Sequence, residues 1–289
     1  MLTYNKSNIS KSELEQISVL VEQEHSEIYL TKHKSKDELY AVKVMYNLNN
    51  CKKKEKRYKQ EMKIHSKLDH HNIIKCYGNY VFDCKIILIL DYMPGGDMRD
   101  FQIKAQDAKL PEDVMRSYLE QILAALKYLH KNRIIHRDIK PENMLLSSDK
   151  KTIKICDFGL SIIKLPGVMI NDMVGTVIYA APDILKKNNY GYEVDIWSLS
   201  VCMFEFSVGF HPFECEDVYD TFDCIKKVEY IHDIPKYNYF QPFDPKRKMP
   251  ANMEHVSLVT WDLIDTLIRG KKYKTNTIDD ILKHPFFVK

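Results

Sequence analysis

The stretch "IIHRDIKPENMLL", residues 134–146, decides how this chain is read. A histidine, an arginine and an aspartate are followed by a lysine and an asparagine at fixed spacing. Chemistry on a phosphoryl group asks for such a set. An aspartate orients a hydroxyl and accepts its proton, here Asp138. A cation neutralises the moving group, here Lys140. An amide oxygen holds a magnesium ion, here Asn143. Downstream, "KICDFGL" offers Asp157 as a second metal ligand, with Phe158 and Gly159 behind it. Upstream, the strand-like "ELYAVKV", 38–44, carries Lys43, suited to hold α- and β-phosphates, and Glu61 on the helix that follows would pair with it. A lone aspartate or lysine is usually a solvated surface charge. The full set, in this order and spacing, is not a coincidence.

Outward from that stretch, the pattern divides. Residues 18–30 and 38–46 read as strands, and "KKKEKRYKQEMKIHSKL", 52–68, as a helix with Met62, His65 and Leu68 on one face. The cationic start of that helix reads as a solvated face. "KIILILDYM", 85–93, reads as a buried strand ending at the turn signal "PGGD". Helical spacing then dominates: "PEDVMRSYLEQILAALKYLHKN", 111–132, begins at a proline, and "EVDIWSLSVCMFEFSVG", 193–209, stops at Gly209. The expected fold is therefore α+β, with a sheet-rich lobe over 14–91 and a helical lobe over 92–288. "KYNYFQPFDPKRKMP", 236–250, reads as an exposed loop, with a docking surface as the alternative.

Composition excludes several classes. The chain has 289 residues, 45% hydrophobic and 29% charged, with a formal net charge of +3. That charge is too small to argue for nucleic acid or a membrane surface. The longest apolar run, "IILIL", cannot span a bilayer. Seven cysteines without C-x-x-C or Cys/His ligand spacing read as reduced thiols of a cytoplasmic protein. The polar start is not a signal peptide.

With "AVK", "HRDIKPEN", "DFG", "GTVIYAAPD" and "DIWSLS", the chain resembles the eukaryotic protein kinases from about residue 14 to 288. Lys140 within "DIKPEN" is similar to the serine/threonine branch. "DFGLS" and "NDMVGTVIYAAPDIL" resemble the calcium/calmodulin-dependent and calcium-dependent group, although no EF-hand loop occurs. The resemblance implies ATP with magnesium, or manganese in its place, and a protein or peptide substrate. It implies an adenine slot of Leu20, Val21, Ile28, Ala41, Leu90 and Leu145, with a hinge from Asp91 to Met93. It implies that Thr176 contacts Asp138 and Lys140, and that Asp195 braces the catalytic loop. His136, Phe158, His65 and Cys76 would form a column coupling the lobes. Asp97, Glu142 and Glu205 would face arginines of a basic substrate. Arg137 would pair with Asp172, a carboxylate standing where a regulated kinase carries a phosphorylated residue.

Four departures remain. The loop that normally reads G-x-G-x-x-G-x-V has Val21, Gln23, Ser26 and Ile28 in that frame, with Glu22, Glu24 and Glu27 between and a turn expected at His25 and Ser26. Ser200 replaces a usual glycine. Asp183 stands for the glutamate of "APE", and Thr275 for its arginine, leaving a lysine of "KKYK", 271–274, as a partner. The expectation is an active serine/threonine kinase. The alternative is a pseudokinase that keeps the fold as a binding module, and "GTVIYAAPD" disfavours a small-molecule kinase.

Overall fold

The structure is a computed structural model, and it describes residues 9–46, 52–105, 108–213, 215, 217–228, 256–268 and 277–288. The segment 236–250, Thr275 and the lysines of 271–274 lie outside the described residues.

The first lobe is a five-stranded antiparallel sheet of β1 (Leu14–Gln23), β2 (Ser26–His33), β3 (Leu39–Met45), β4 (Cys76–Phe82) and β5 (Lys85–Asp91), ordered β1-β2-β3-β5-β4. Helix α1 (Lys52–His65) packs on one face. Alternation along β3 and β5 explains the two sides. Val42, Val44, Ile87 and Ile89 form an outer cluster with Tyr40, while Met45, Ile86, Leu88 and Leu90 face inward with Met62 of α1. Asp83 and Cys84, both with positive φ, close the β4–β5 hairpin in the two-residue turn that suits the strand twist.

The second lobe is mainly helical, with α2 (Met98–Lys104), α3 (Glu112–Lys131), α4 (Pro182–Leu185), α5 (Glu193–Val208), α6 (Val218–Lys227), α7 (Leu258–Ile268) and α8 (Ile278–Ile281). Short strand pairs β6 (Ile134–Ile135) with β9 (Ile162–Ile163), and β7 (Met144–Leu146) with β8 (Ile153–Ile155), frame the loops between α3 and α4. Helix α5 is mostly apolar and buried all round along Val194–Val208, so it is the spine of this lobe. Each fully buried Leu, Ile or Phe there contributes about 1.5–3 kcal/mol. Gly209 ends the helix with φ +85, the left-handed conformation glycine adopts without strain. Ser200 fits its buried place because its hydroxyl donates to Trp197 O at 2.7 Å. Among the described residues, no helix is long and apolar enough to cross a membrane.

The strand and helix ends differ from the expected ones by a few residues. The main correction is at the first hairpin. The turn is Glu24–His25, and Ser26 already belongs to β2, opposite Gln23 and Met45.

Candidate active site

Lys43 sits mid-strand, with Ile28 and Leu88 opposite it on either side. Its Nζ donates to Glu61 Oε1 at 2.6 Å and to Asp157 Oδ1 at 3.0 Å. Burial by itself would favour neutral Lys43, but the two carboxylates outweigh it and raise its pKa, so it stays charged. Lys43 holds Asp157 well below the usual carboxylate range. Burial pushes Glu61 the other way, upward, against the pull of Lys43. The segment after Asp157 is held from α1 as well: Arg57 Nε donates to Gly159 O at 2.7 Å and Gln60 Nε2 to Ser161 O at 2.6 Å.

The catalytic loop runs between β6 and β7. Asp195, fully buried on α5, accepts from the backbone N–H of His136 at 3.0 Å and of Arg137 at 2.8 Å, and from His130 at 2.8 Å. That clamp holds Arg137 at φ +69, an uncommon conformation for a residue other than glycine. Asp138 is thereby set among four groups. Its Oδ1 accepts from Thr176 N at 3.0 Å and Thr176 Oγ1 at 2.8 Å; its Oδ2 accepts from Asn143 Nδ2 at 3.0 Å and lies 3.2 Å from Lys140 Nζ. Lys140 also donates to Thr176 Oγ1 at 2.8 Å. Gly175 precedes this contact with φ +97, and a Cβ there would meet Arg137 O at 2.6 Å, so glycine is required.

A protein kinase domain model matches residues 15–287. The chain belongs to the protein kinase family. It is 32% identical over 263 residues to Aurora kinase A-B of Xenopus laevis, covering 91% of this chain and 59% of the relative. It is 33% identical over 264 residues to an Aurora kinase of Schizosaccharomyces pombe, covering 91% and 68%. An Aurora kinase of Patiria pectinifera is 37% identical over 259 residues, covering 89% and 58%. The chain therefore spans about three fifths of the length of most of these curated relatives. Their names give no support to the calcium/calmodulin-dependent subgroup. The residues that suggested it have scaffold duties: Ser161 donates to His136 O at 3.3 Å, and Gly175 and Thr176 pack on the catalytic loop. Such duties serve any kinase domain with this loop and carry little information about subgroup.

The column through the kinase domain has His136 and His65 on either side of Phe158, with ring centroids 5.2 and 4.8 Å away, and Phe158 fully buried. Cys76 packs partly buried among the inward residues of the sheet. His65 Nε2 donates to Ile74 O at 2.7 Å, which fixes the tautomer of the neutral ring. Burial lowers its pKa to about 4. The unfolded chain takes up a proton near pH 6.5, while the folded one does so only near 4. Stability is therefore lost as pH falls across that window, by on the order of 3 kcal/mol from this residue. His65→Leu is expected to flatten urea-measured stability against pH between 6.5 and 4; an unchanged slope would contradict the assignment. His211, lowered to about 3 by burial, contributes in the same direction and leaves a residual slope.

Ala41, Leu90, Met93 and Leu145 come together around the slot, with Cys156 beneath. Leu20 and Val21 are exposed at its edge, Leu20 beside a bulge in β1. Asp91 departs from the expected pattern. Its carboxylate is turned to Lys154 Nζ at 2.7 Å, Tyr77 OH at 2.8 Å and Lys75 N at 3.1 Å, and its backbone N–H donates to Lys75 O at 3.0 Å, so neither its side chain nor its N–H is left for a base. Asn143 spends its Nδ2 on Asp138, and Asp157 spends Oδ1 on Lys43 and Gly159 N. Asn143 Oδ1 and Asp157 Oδ2 carry no hydrogen bond among the described residues. Two such oxygens fit a hard cation such as magnesium.

The glycine-free hairpin is regular. Neither Glu24 nor His25 has positive φ, so the turn demands no glycine. Pairing through Ser26 and Met45, and through Ile28 and Lys43, puts Val21, Gln23 and Ser26 on the side of Lys43. Ser26 Oγ donates to Gln23 Oε1 at 3.1 Å, so the two polar side chains satisfy each other there. Glu22 and Glu27 pair on the opposite, outer face, where Glu27 accepts from Tyr46 OH; their charge does not enter the slot. The tip is tied to α1 by a contact between His25 and Lys54. What the loop lacks is close backbone approach to a phosphate, worth about 1.5–3 kcal/mol per lost contact. Gln23→Gly/Ser26→Gly is expected to lower the Michaelis constant for ATP by about tenfold to a hundredfold. If it is unchanged, the loop is not the weak element.

Arg137 Nε donates to Leu160 O at 2.7 Å, and Nη1 reaches Tyr190 OH at 3.0 Å and Asp172 Oδ2 at 3.4 Å. Tyr190 OH in turn donates to Asp172 O at 2.9 Å. Of the three acids expected to meet a basic substrate, Asp97 instead caps α2, accepting from Asp100 N at 2.8 Å. Glu142 and Glu205 do converge, but on Arg99, a residue sequence reasoning missed. Asp183 accepts from Asn188 Nδ2 at 2.9 Å.

Proposed function

We propose that this kinase domain transfers the γ-phosphate of ATP to serine or threonine hydroxyls of proteins, in the cytoplasm. The observation that carries the reading is that Glu61, Lys43 and Asp157 are joined while Asp138 is set between Thr176, Lys140 and Asn143. Lys43 would hold the α- and β-phosphates, and Asp138 would orient the hydroxyl and take its proton. Lys140 would offset charge on the moving group. Magnesium, when held by Asn143 and Asp157, supplies charge neutralisation between the phosphates. Incorporation of radiolabelled phosphate into a degenerate serine/threonine peptide mixture should disappear in Asp157→Asn. Equal signal from both proteins would refute the proposal.

The glycine-free loop favours one second reading, a pseudokinase acting as a binding module. It expects no melting shift with millimolar ATP and magnesium, whereas ligand at a hundred times Kd stabilises by about 2.7 kcal/mol.

The activity proposed needs no phosphorylation of the activation segment, because Asp172 supplies a permanent carboxylate to Arg137. The pair is half in solvent, with Asp172 64% exposed, so its worth is discounted. Phosphatase treatment should leave activity intact, and Asp172→Ala should lower it by less than about tenfold. Loss of activity on phosphatase treatment would overturn this.

A further inference from the structure

Arg99 stands on the exposed-looking first turn of α2, yet its guanidinium is engaged on every edge. Nε donates to Glu142 Oε1 at 3.1 Å. Nη1 donates to Glu205 Oε1 and to Gln102 Oε1, the latter at 3.4 Å. Nη2 donates to Tyr179 OH and, at 3.4 Å, to Glu205 Oε2. Tyr179 OH donates to Glu205 Oε2 at 2.6 Å. Burial opposes the charge on Arg99, but Glu205, Tyr179 and Glu142 outweigh it and hold the guanidinium protonated.

The cluster adjoins the catalytic groups along two stretches of chain. Glu142 is next to Asn143, and Tyr179 lies three residues beyond Thr176. Both neighbours contact Asp138. A peptide whose hydroxyl meets Asp138 advances up to ~3.3–3.6 Å per residue, so a residue a few positions away can reach this cluster. The cluster is also accessible there, since Glu142 is 43% exposed and Arg99 23%. Two carboxylates and a phenol arranged around one planar cation form a receptor for a guanidinium.

We infer that Arg99 occupies the subsite that would otherwise take a basic residue of the protein substrate, and so removes arginine selection there. This rests on the reading of the chain as an active protein kinase. A substrate arginine must displace an intramolecular competitor that loses no association entropy and already satisfies Glu205, or bind beside it as a like charge. Arginine and an uncharged residue are then accepted about equally at that position. The basic preference expected from the acids alone is thereby reversed into indifference.

The test reads binding, so that it stands apart from turnover. Two fluorescent serine peptides differing only by arginine or alanine two residues before the serine are titrated into the full chain by anisotropy. Wild type should bind them within threefold of each other. Arg99→Gln, which keeps a hydrogen bond to Glu205 without the charge, should bind the arginine peptide at least tenfold tighter than the alanine peptide. Adding Glu142→Gln should reduce that gain. If Arg99→Gln does not melt cooperatively, Arg99→Met, which keeps the stem packing, is read in its place. A tenfold arginine preference in wild type overturns the inference, as does no gain in the variant, or no binding of either peptide to any protein. Phosphate incorporation into the same peptides by wild type, absent in Asp157→Asn, decides the kinase reading separately.

Discussion

Asp138→Asn is expected to reduce the rate of phosphoryl transfer by about 10²–10⁴ while leaving the fold in place. The substitution is isosteric, and an amide oxygen can still accept from Thr176 N and Oγ1 as Oδ1 does now. The new amide nitrogen would face Asn143 Nδ2 and Lys140 Nζ, two donors at 3.0 and 3.2 Å from the present Oδ2. That local mismatch costs the charge-assisted hydrogen bond from Asn143, about 1.5–3 kcal/mol, together with the Lys140 ion pair, and is partly relieved because the cleft is open to water. An amide cannot take a proton from a hydroxyl, so the loss falls on the chemical step. Single-turnover transfer from bound ATP should therefore slow, and the ATP-induced melting shift should persist. A variant keeping more than a tenth of the rate would show that Asp138 is not the base.

The polar constellation was legible because phosphoryl chemistry dictates residue types and order. Lys43, Glu61, Asp138, Asn143 and Asp157 had few alternatives once they were read together. The α+β division was legible for a different reason, since "IILIL" and the α5 segment are too apolar to be anything but core. The first hairpin was not well bounded. Ile17 and Val19 of β1 are more than half exposed, so apolar alternation does not mark where the strand begins. Its turn residues also lack the glycine or asparagine that announces a hairpin. Arg99 was missed because an arginine two residues into an amphipathic helix normally reads as a solvated charge. One signal could have found it. Glu205 lies within "MFEFSV", in a helix with no other charge after Asp195, and a buried acid in such a place needs a cation from elsewhere. Arg57 and Gln60 hid for a simpler reason: their partners Gly159 and Ser161 lie about a hundred residues on, beyond any local pattern.

Asp195→Ala is expected to destabilise the kinase domain by about 3–5 kcal/mol, the largest loss from any single change considered. Asp195 is fully buried and carries three hydrogen bonds at 2.8–3.0 Å, two of them from backbone N–H groups of His136 and Arg137. Alanine leaves those donors buried without partners, at about 1–3 kcal/mol each. It also releases Arg137 from its left-handed conformation, and Asp138 is the next residue. The melting temperature should fall by roughly 2–4 °C per kcal/mol in a chain of this size. The pH dependence supplies a second check. Burial alone would raise the Asp195 pKa, but the hydrogen bond and charge of His130 and the backbone donors bring it below the ordinary carboxylate value. A group lowered on folding stabilises fully above its unfolded pKa, near 3.9, and loses that contribution as pH falls through the folded value. The deficit of Asp195→Ala should therefore be full at neutral pH and shrink only below about pH 4. A deficit under about 1 kcal/mol at neutral pH would mean that water replaces the carboxylate, and that the catalytic loop holds its shape without the clamp.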